Sequence, residues 1–209
     1  MSGEIESTKL NNIHAIVLLT CTISGVVALL DANLKVTKII PTFRNFFETL
    51  EPLNLGAVTD FYVCLGPGSF TGIRQTLSFV TGFLTGRQSQ GKTLLDAKKP
   101  KVHGFSLFDY IRAVEKLPDT TPIFINGFFY KEGIEHLGYI YIPPNTIKFV
   151  NLQKDNLPDS VIKNMFRVQN PTHYFTKTYI EDFLKHFSGF TSELTPLYAK
   201  PVSITPAKT

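Results

Sequence analysis

The sequence predicts an α/β protein, on three observations. Short, β-rich apolar runs alternate with stretches whose apolar residues recur at helical spacing. A glycine-rich stretch, Gly66 to Gly72, joins one wholly apolar run directly to an amphipathic one. The chain has 209 residues, enough for one domain or two small lobes sharing a core.

Taken in order, residues 1–12 are polar and read as a frayed end. Residues 15–19 and 26–31 read as a hairpin around a Ser-Gly turn, and 35–40 as a third antiparallel strand. Thr42 is placed to cap a short helix over 43–50, with Phe43, Phe46, Phe47 and Leu50 on one side, ended by Glu51-Pro52. Residues 61–65 form an uninterrupted apolar run of the central-strand kind. The glycine-rich corner follows, then a helix to about residue 85. Residues 86–100 are polar and read as a mobile excursion. A short strand is predicted over 102–104, and Ser106 caps a helix reaching residue 114. Residues 122–129 and 136–142 read as two further strands joined by "YKEGIE". Pro143-Pro144 is a break, and Tyr179, Phe183 and Phe187 recur at helical spacing after Asn170-Pro171.

Composition excludes several classes. With 43% hydrophobic and 18% charged residues the chain is globular rather than disordered. A net charge of +4 is mildly basic, and outside Lys98-Lys99-Pro100-Lys101 the cations are scattered, which gives RNA or an acidic partner only modest support. Cys21 and Cys64 lie in apolar runs without metal spacing and read as buried reduced thiols. The five histidines, His14, His103, His136, His173 and His186, are too dispersed for a metal site. Residues 13–30 are long and uncharged enough to mimic a signal anchor. Their leader carries Glu4 and Glu6 rather than a basic cluster, so a hairpin and a cytoplasmic location, without a membrane segment, are expected.

The corner, "CLGPGSFTGIRQTLSF", matches no familiar phosphate or nucleophile turn. Ile73-Arg74 stands where a P-loop needs Lys-Ser/Thr, the glycines do not follow G-x-G-x-x-G, and Gly68-Ser69-Phe70-Thr71-Gly72 is one residue too long for a nucleophile elbow. Gly66 and Gly68 allow positive φ on either side of Pro67, while Ser69 or Thr71 can cap the helix. Ile73, Leu77, Val80 and Leu84 make a core-facing stripe, and Phe79 with Phe83 a second strip beside it. Two strips on one helix need two covering surfaces, and the second could be another protein. Free amides at Gly68, Ser69, Thr71 and Gly72 would suit an anion such as a nucleotide phosphate.

"GPGSFTGIR" after an apolar strand resembles the hallmark of the bacterial TsaB (YeaZ) family, Gly-Pro-Gly-Ser-Phe-Thr-Gly-Leu/Val-Arg. "AIVLLTCTISGVVALLD", "KPKVHGFSLFDYI" and "TPLYAK" are similar, more weakly, to the family's opening hairpin, the segment after its helix and its C-terminal Pro-x-Tyr-x-Arg. The resemblance implies an actin/Hsp70-like (ASKHA) fold of two lobes with mixed sheet and flanking helices. The lobes would be 1–101, with 87–99 as a mobile insertion, and 102–209, its final segment packing back on the first. It implies a role in forming N6-threonylcarbamoyladenosine at position 37 of tRNAs that read ANN codons. In that system the TsaB-like subunit is not the catalyst; it binds and activates a TsaD-like transferase, while a TsaE-like protein supplies an ATPase and tRNA engages the complex. By that analogy Phe43, Phe46, Phe47, Leu50, Phe70, Ile73, Arg74, Leu77 and Val80 would form the partner interface. ATP or ADP and magnesium would be used by the complex, with no cofactor and no metal assigned to this chain.

Departures from the family pattern sharpen the expectation that the chain is not itself an enzyme. The first-strand Asp is Leu19, the Asp-Ala-Arg of the second lobe is Asn126-Gly127-Phe128, and the Lys-Gly of the corner helix is Thr81-Gly82. Each change removes a charge that a nucleotide or metal site would use. The alternatives are a self-associating homodimer using the same helix and, with less support, a peptidase or sugar-kinase-like enzyme.

Overall fold

The computed structural model describes residues 13–22, 24–42, 46–89, 100–126 and 137–197. The expectations for residues 1–12, Phe43, the linker over 130–135, most of the 87–99 insertion and the end of "TPLYAK" therefore lie outside the described residues.

Strands β1 (Ala15–Leu19), β2 (Val26–Leu30) and β3 (Val36–Pro41) form the expected antiparallel meander. Strand β4 (Asp60–Cys64) pairs parallel to β1, and β5 (Lys101–Phe105) parallel to β4, giving a five-stranded sheet in the order β3-β2-β1-β4-β5. Residues 13–30 are thus a strand pair, and no helix among the described residues is long and apolar enough to cross a membrane.

A second sheet repeats this pattern. Strands β6 (Ile123–Asn126), β7 (Leu137–Ile142) and β8 (Thr146–Asn151) are antiparallel, and β9 (Phe166–Val168) joins β6 in parallel, in the order β8-β7-β6-β9. Helices α1 (Phe46–Leu50), α2 (Phe70–Ser89), α3 (Leu107–Val114), α4 (Asp159–Asn164) and α5 (Lys177–His186) flank the sheets. This is the mixed α/β architecture, two mixed sheets with flanking helices, that the sequence leads one to expect. Strand β5 starts at the proposed lobe boundary and belongs to the first sheet.

Both faces of the first sheet are covered, which is why β1 and β2 are buried at every residue. Strand alternation divides them by parity. Ala15, Val17, Leu19, Ala28 and Leu30 join a core with Tyr110 of α3, Phe183 of α5 and Ile123 and Ile125 of the second sheet. Ile16, Leu18, Val27, Leu29, Phe61 and Val63 face the other way, onto Phe46 and Leu50 of α1 and Val80 of α2. Ser106 caps α3 as predicted: its hydroxyl accepts from the Asp109 amide at 2.9 Å, and the Asp109 carboxylate accepts in return from the Ser106 amide at 3.0 Å. Beyond α5 the chain returns to the first sheet, exchanging main-chain hydrogen bonds between Thr191 and Gly104 and donating from the Leu197 amide to the Leu65 carbonyl.

Candidate functional site

The corner begins where β4 ends. The Leu65 amide still donates to the Phe105 carbonyl, as a strand would, and the Gly66 carbonyl accepts from Leu107 at 2.7 Å. Gly66 and Gly68 adopt the expected positive φ, 109° and 152°, on either side of Pro67, which follows a cis peptide bond. Ser69 is the cap of α2: its hydroxyl accepts from the Gly72 amide at 3.2 Å, and its carbonyl accepts from Ile73 at 3.0 Å. The helix runs to Ser89, beyond the predicted end near residue 85, so the first residues of the proposed insertion continue α2.

The β1–β2 turn lies directly on this corner. A Cβ at Gly68 would stand 1.9 Å from the Cys21 carbonyl oxygen, and one at Gly72 would stand 2.0 Å from that of Thr20. Close backbone approach therefore requires glycine at both positions, and at Gly68 the positive φ requires it as well. The Ser69 amide donates to the Cys21 carbonyl at 2.5 Å. The Thr20 hydroxyl donates to the Gly72 carbonyl at 3.1 Å and meets the Thr76 hydroxyl at 2.5 Å in the buried interior. The Thr22 hydroxyl oxygen is buried without a hydrogen-bond partner among the described residues.

That geometry works against the anion reading of Gly68, Ser69, Thr71 and Gly72. The Ser69 and Gly72 amides are already engaged within the chain. Carbonyl oxygens of Thr20 and Cys21 occupy the space against the glycines, presenting negative dipole ends where a phosphate would need donors. Ser69 and Gly72 therefore have no free amide to donate to a phosphate at this corner. Thr71 is exposed and free of that congestion, but it does not make a cradle alone.

The predicted interface residues separate into two groups. Phe46, Leu50, Ile73 and Val80 are buried in the core of this chain and have no surface to offer; their apolar spacing reflects the chain's own packing. Leu77 is half-buried, packed between the two main clusters. The second strip is half-buried: Phe79 lies edge-on to Phe46 and Phe61, with ring centroids 5.8 and 6.2 Å apart, and Phe83 lies 5.2 Å from Phe61. Sequence spacing finds two strips, and α1 and β4 of the same chain cover part of the second.

What remains outside is a different set. Phe47 of α1 turns away from the core and is 51% exposed. It faces Phe70, Thr71, Arg74, Gln75 and Ser78 of α2 across a shallow cleft of about 270 Å³. The Arg74 guanidinium carbon sits 5.1 Å from the centre of the Phe70 ring, an i, i+4 cation–π contact worth about 0.5–1 kcal/mol at an exposed position. Phe47, Phe70 and Arg74 are the predicted residues that the fold brings together at a surface. Helical spacing alone places Phe47 beside Phe46 without telling which of them faces inward. The contribution of Thr20, Cys21 and Thr76 to the corner is missed from sequence; the G-x-x-x-G spacing of Gly68 and Gly72 is the signal for it.

No family model matches the chain, and no curated protein matches it. Among solved structures it is similar to an uncharacterized protein with similarity to peptidase YEAZ from Pseudomonas aeruginosa. That likeness has 18% identity and a TM-score of 0.47, over 73% of this chain and 74% of the other. It is also similar to YeaZ from Pseudomonas aeruginosa, at 14% identity and a TM-score of 0.47, over 88% of this chain and 98% of the other.

Proposed function

We propose that the chain is a non-catalytic scaffold and activator for the formation of N6-threonylcarbamoyladenosine at position 37 of ANN-decoding tRNAs, and that it binds a TsaD-like transferase. The observation that carries this reading is a coincidence in one place. The stretch with the family resemblance, GPGSFTGIR, launches the helix whose outer face, with Phe47, forms an aromatic and cationic surface cleft. Aromatic rings and arginine are the side chains that anchor protein interfaces. The Ser69 amide is spent on the β1–β2 turn and the Gly72 amide on the Ser69 hydroxyl, which supports a role as a rigid launch for α2 rather than a nucleotide cradle. ATP or ADP, magnesium, the TsaE-like ATPase and tRNA then belong to the assembly, with the chemistry on the transferase.

The test is co-purification of this chain with a TsaD-like transferase, with the tRNA modification read by mass spectrometry in cells lacking their own TsaB-like subunit. A stable heteromer and restored modification are expected. The double substitution Phe47→Asp with Arg74→Glu should weaken the pair at least roughly tenfold, as loss of central anchors does, while thermal stability is retained. Partners that stay apart, with no rescue of the modification, overturn the reading. A chain that is dimeric alone and does not exchange for the transferase supports self-association instead.

A further inference from the structure

The only two cysteines of the chain meet beneath the corner. Cys64 is the last residue of β4 and Cys21 lies just past β1, its parallel neighbour, in which Leu18 pairs with Val63. Both are free, wholly buried and in the same core cluster. The Cys64 thiol donates to the Cys21 sulfur at 3.3 Å. A disulfide holds its sulfurs about 2.05 Å apart, so bonding would draw them together by roughly 1.25 Å.

Cys21 has no slack to absorb such a shift unnoticed. Its carbonyl oxygen accepts from the Ser69 amide at 2.5 Å and fills the space that a Cβ on Gly68 would need. The position of Cys21 is therefore read directly at the start of α2. We propose that Cys21 and Cys64 form a dithiol–disulfide pair whose oxidation by a hydroperoxide unseats the β1–β2 turn from the glycine-rich corner.

The chemistry balances with hydrogen peroxide as the oxidant. One thiol, as thiolate, attacks the peroxide O–O bond; its sulfur becomes a sulfenic acid, and the departing hydroxide takes up the thiol proton as water. The second sulfur then attacks the sulfenic sulfur, the S–S bond forms, and a second water leaves with the second proton. Two thiols and one peroxide give one disulfide and two waters. In the closed structure the hydrogen bond from Cys64, and then burial, push the Cys21 thiol well above its ordinary range, so the thiolate is scarce. Oxidation accordingly proceeds while the β1–β2 turn is transiently open, and its rate follows that opening.

The proposal holds whether or not α2 meets a partner, and it is tested on the full chain alone. After hydrogen peroxide treatment, both titratable thiols should disappear and the monomer should lose about 2 Da, reversibly with a dithiol reductant. Amide exchange at Ser69 should accelerate roughly tenfold or more in the oxidised form, because its hydrogen bond to Cys21 is lost. Two thiols that persist through prolonged treatment overturn the proposal, as does a mass gain from sulfinic or sulfonic acids in place of the loss. A disulfide that forms while Ser69 exchange stays unchanged overturns the link to the corner.

Discussion

The two ends of the first sheet are built from different materials. At the C-terminal ends of β1 and β4 the contacts are main-chain carbonyls, hydroxyls and thiols: Cys21 on Ser69, Thr20 on Gly72 and Thr76, Cys64 on Cys21. At the opposite end, β1, β4 and β5 begin among titratable side chains. There the His103 ring nitrogen meets the Asp60 carboxylate at 2.8 Å, the Thr59 hydroxyl donates to the same carboxylate at 2.7 Å, and His14 meets Thr59 at 3.0 Å. His103 is stacked on Tyr62, with ring centroids 4.6 Å apart. Ligands of open α/β sheets ordinarily collect at the C-terminal ends of parallel strands. In this sheet, the corner at that end is packed by steric fit, and a charged hydrogen-bond network closes the other. The first should therefore respond to volume, and the second to pH.

The sharpest way to break the contrast is Gly68→Ala. The added Cβ would fall 1.9 Å from the Cys21 carbonyl oxygen at a φ of 152°, so the turn and the corner cannot both keep their places. A loss of more than about 3 kcal/mol, or failure to fold, is expected in urea denaturation, because the overlap is with main chain and adds to an unfavourable φ. A loss that stays below about 1 kcal/mol would mean that the β1–β2 turn moves freely away from the corner.

Asp60→Ala tests the other end, with a smaller effect. Burial pushes the Asp60 carboxyl up, but hydrogen bonds from Thr59 and His103 and the charges of His103 and His14 more than offset this and hold it below the usual carboxylate range. Removing those charged hydrogen bonds should cost about 2 kcal/mol at neutral pH. A carboxyl whose folded pKa is depressed contributes stability that is present above its unfolded value, near 4, and is lost as pH falls through the folded one. The part of the gap between Asp60→Ala and the unaltered chain that the Asp60 charge supplies should thus close progressively below about pH 4. A gap that persists unchanged at low pH would assign the effect to packing rather than charge.

The contrast also explains what the sequence makes legible. The meander, the central strand and the Ser106 cap follow from alternation, an unbroken apolar run and a capping pair, all local signals. Residues 146–168 carry none of these: α4 buries no side chain and β9 is only three residues long, so both depend on the second sheet for their existence. Phe79 and Phe83 are only partly legible for a related reason. Helical spacing says which residues share a face, whereas the aromatic edges of Phe46 and Phe61 that cover them come from elsewhere in the chain. At the corner, the glycines announce a close approach, but the approaching carbonyls lie about fifty residues earlier, beyond the reach of any motif.

Thr76→Val probes the corner at the scale of one hydrogen bond. Valine keeps the shape of threonine, so α2 retains its fit, while the Thr20 hydroxyl loses its partner at 2.5 Å. Thr20 still donates to the Gly72 carbonyl, which prevents a wholly stranded buried hydroxyl and limits the cost to about 1 kcal/mol. That loss should be flat down through about pH 4, since the contact holds only hydroxyls and a main-chain carbonyl, and this separates it from Asp60→Ala when the two variants are run side by side. Thr20→Val removes both bonds at once and leaves the Gly72 carbonyl to be satisfied within α2. It should therefore cost more than Thr76→Val, and equal losses would mean that the Thr20 bond to Gly72 contributes nothing to seating the turn.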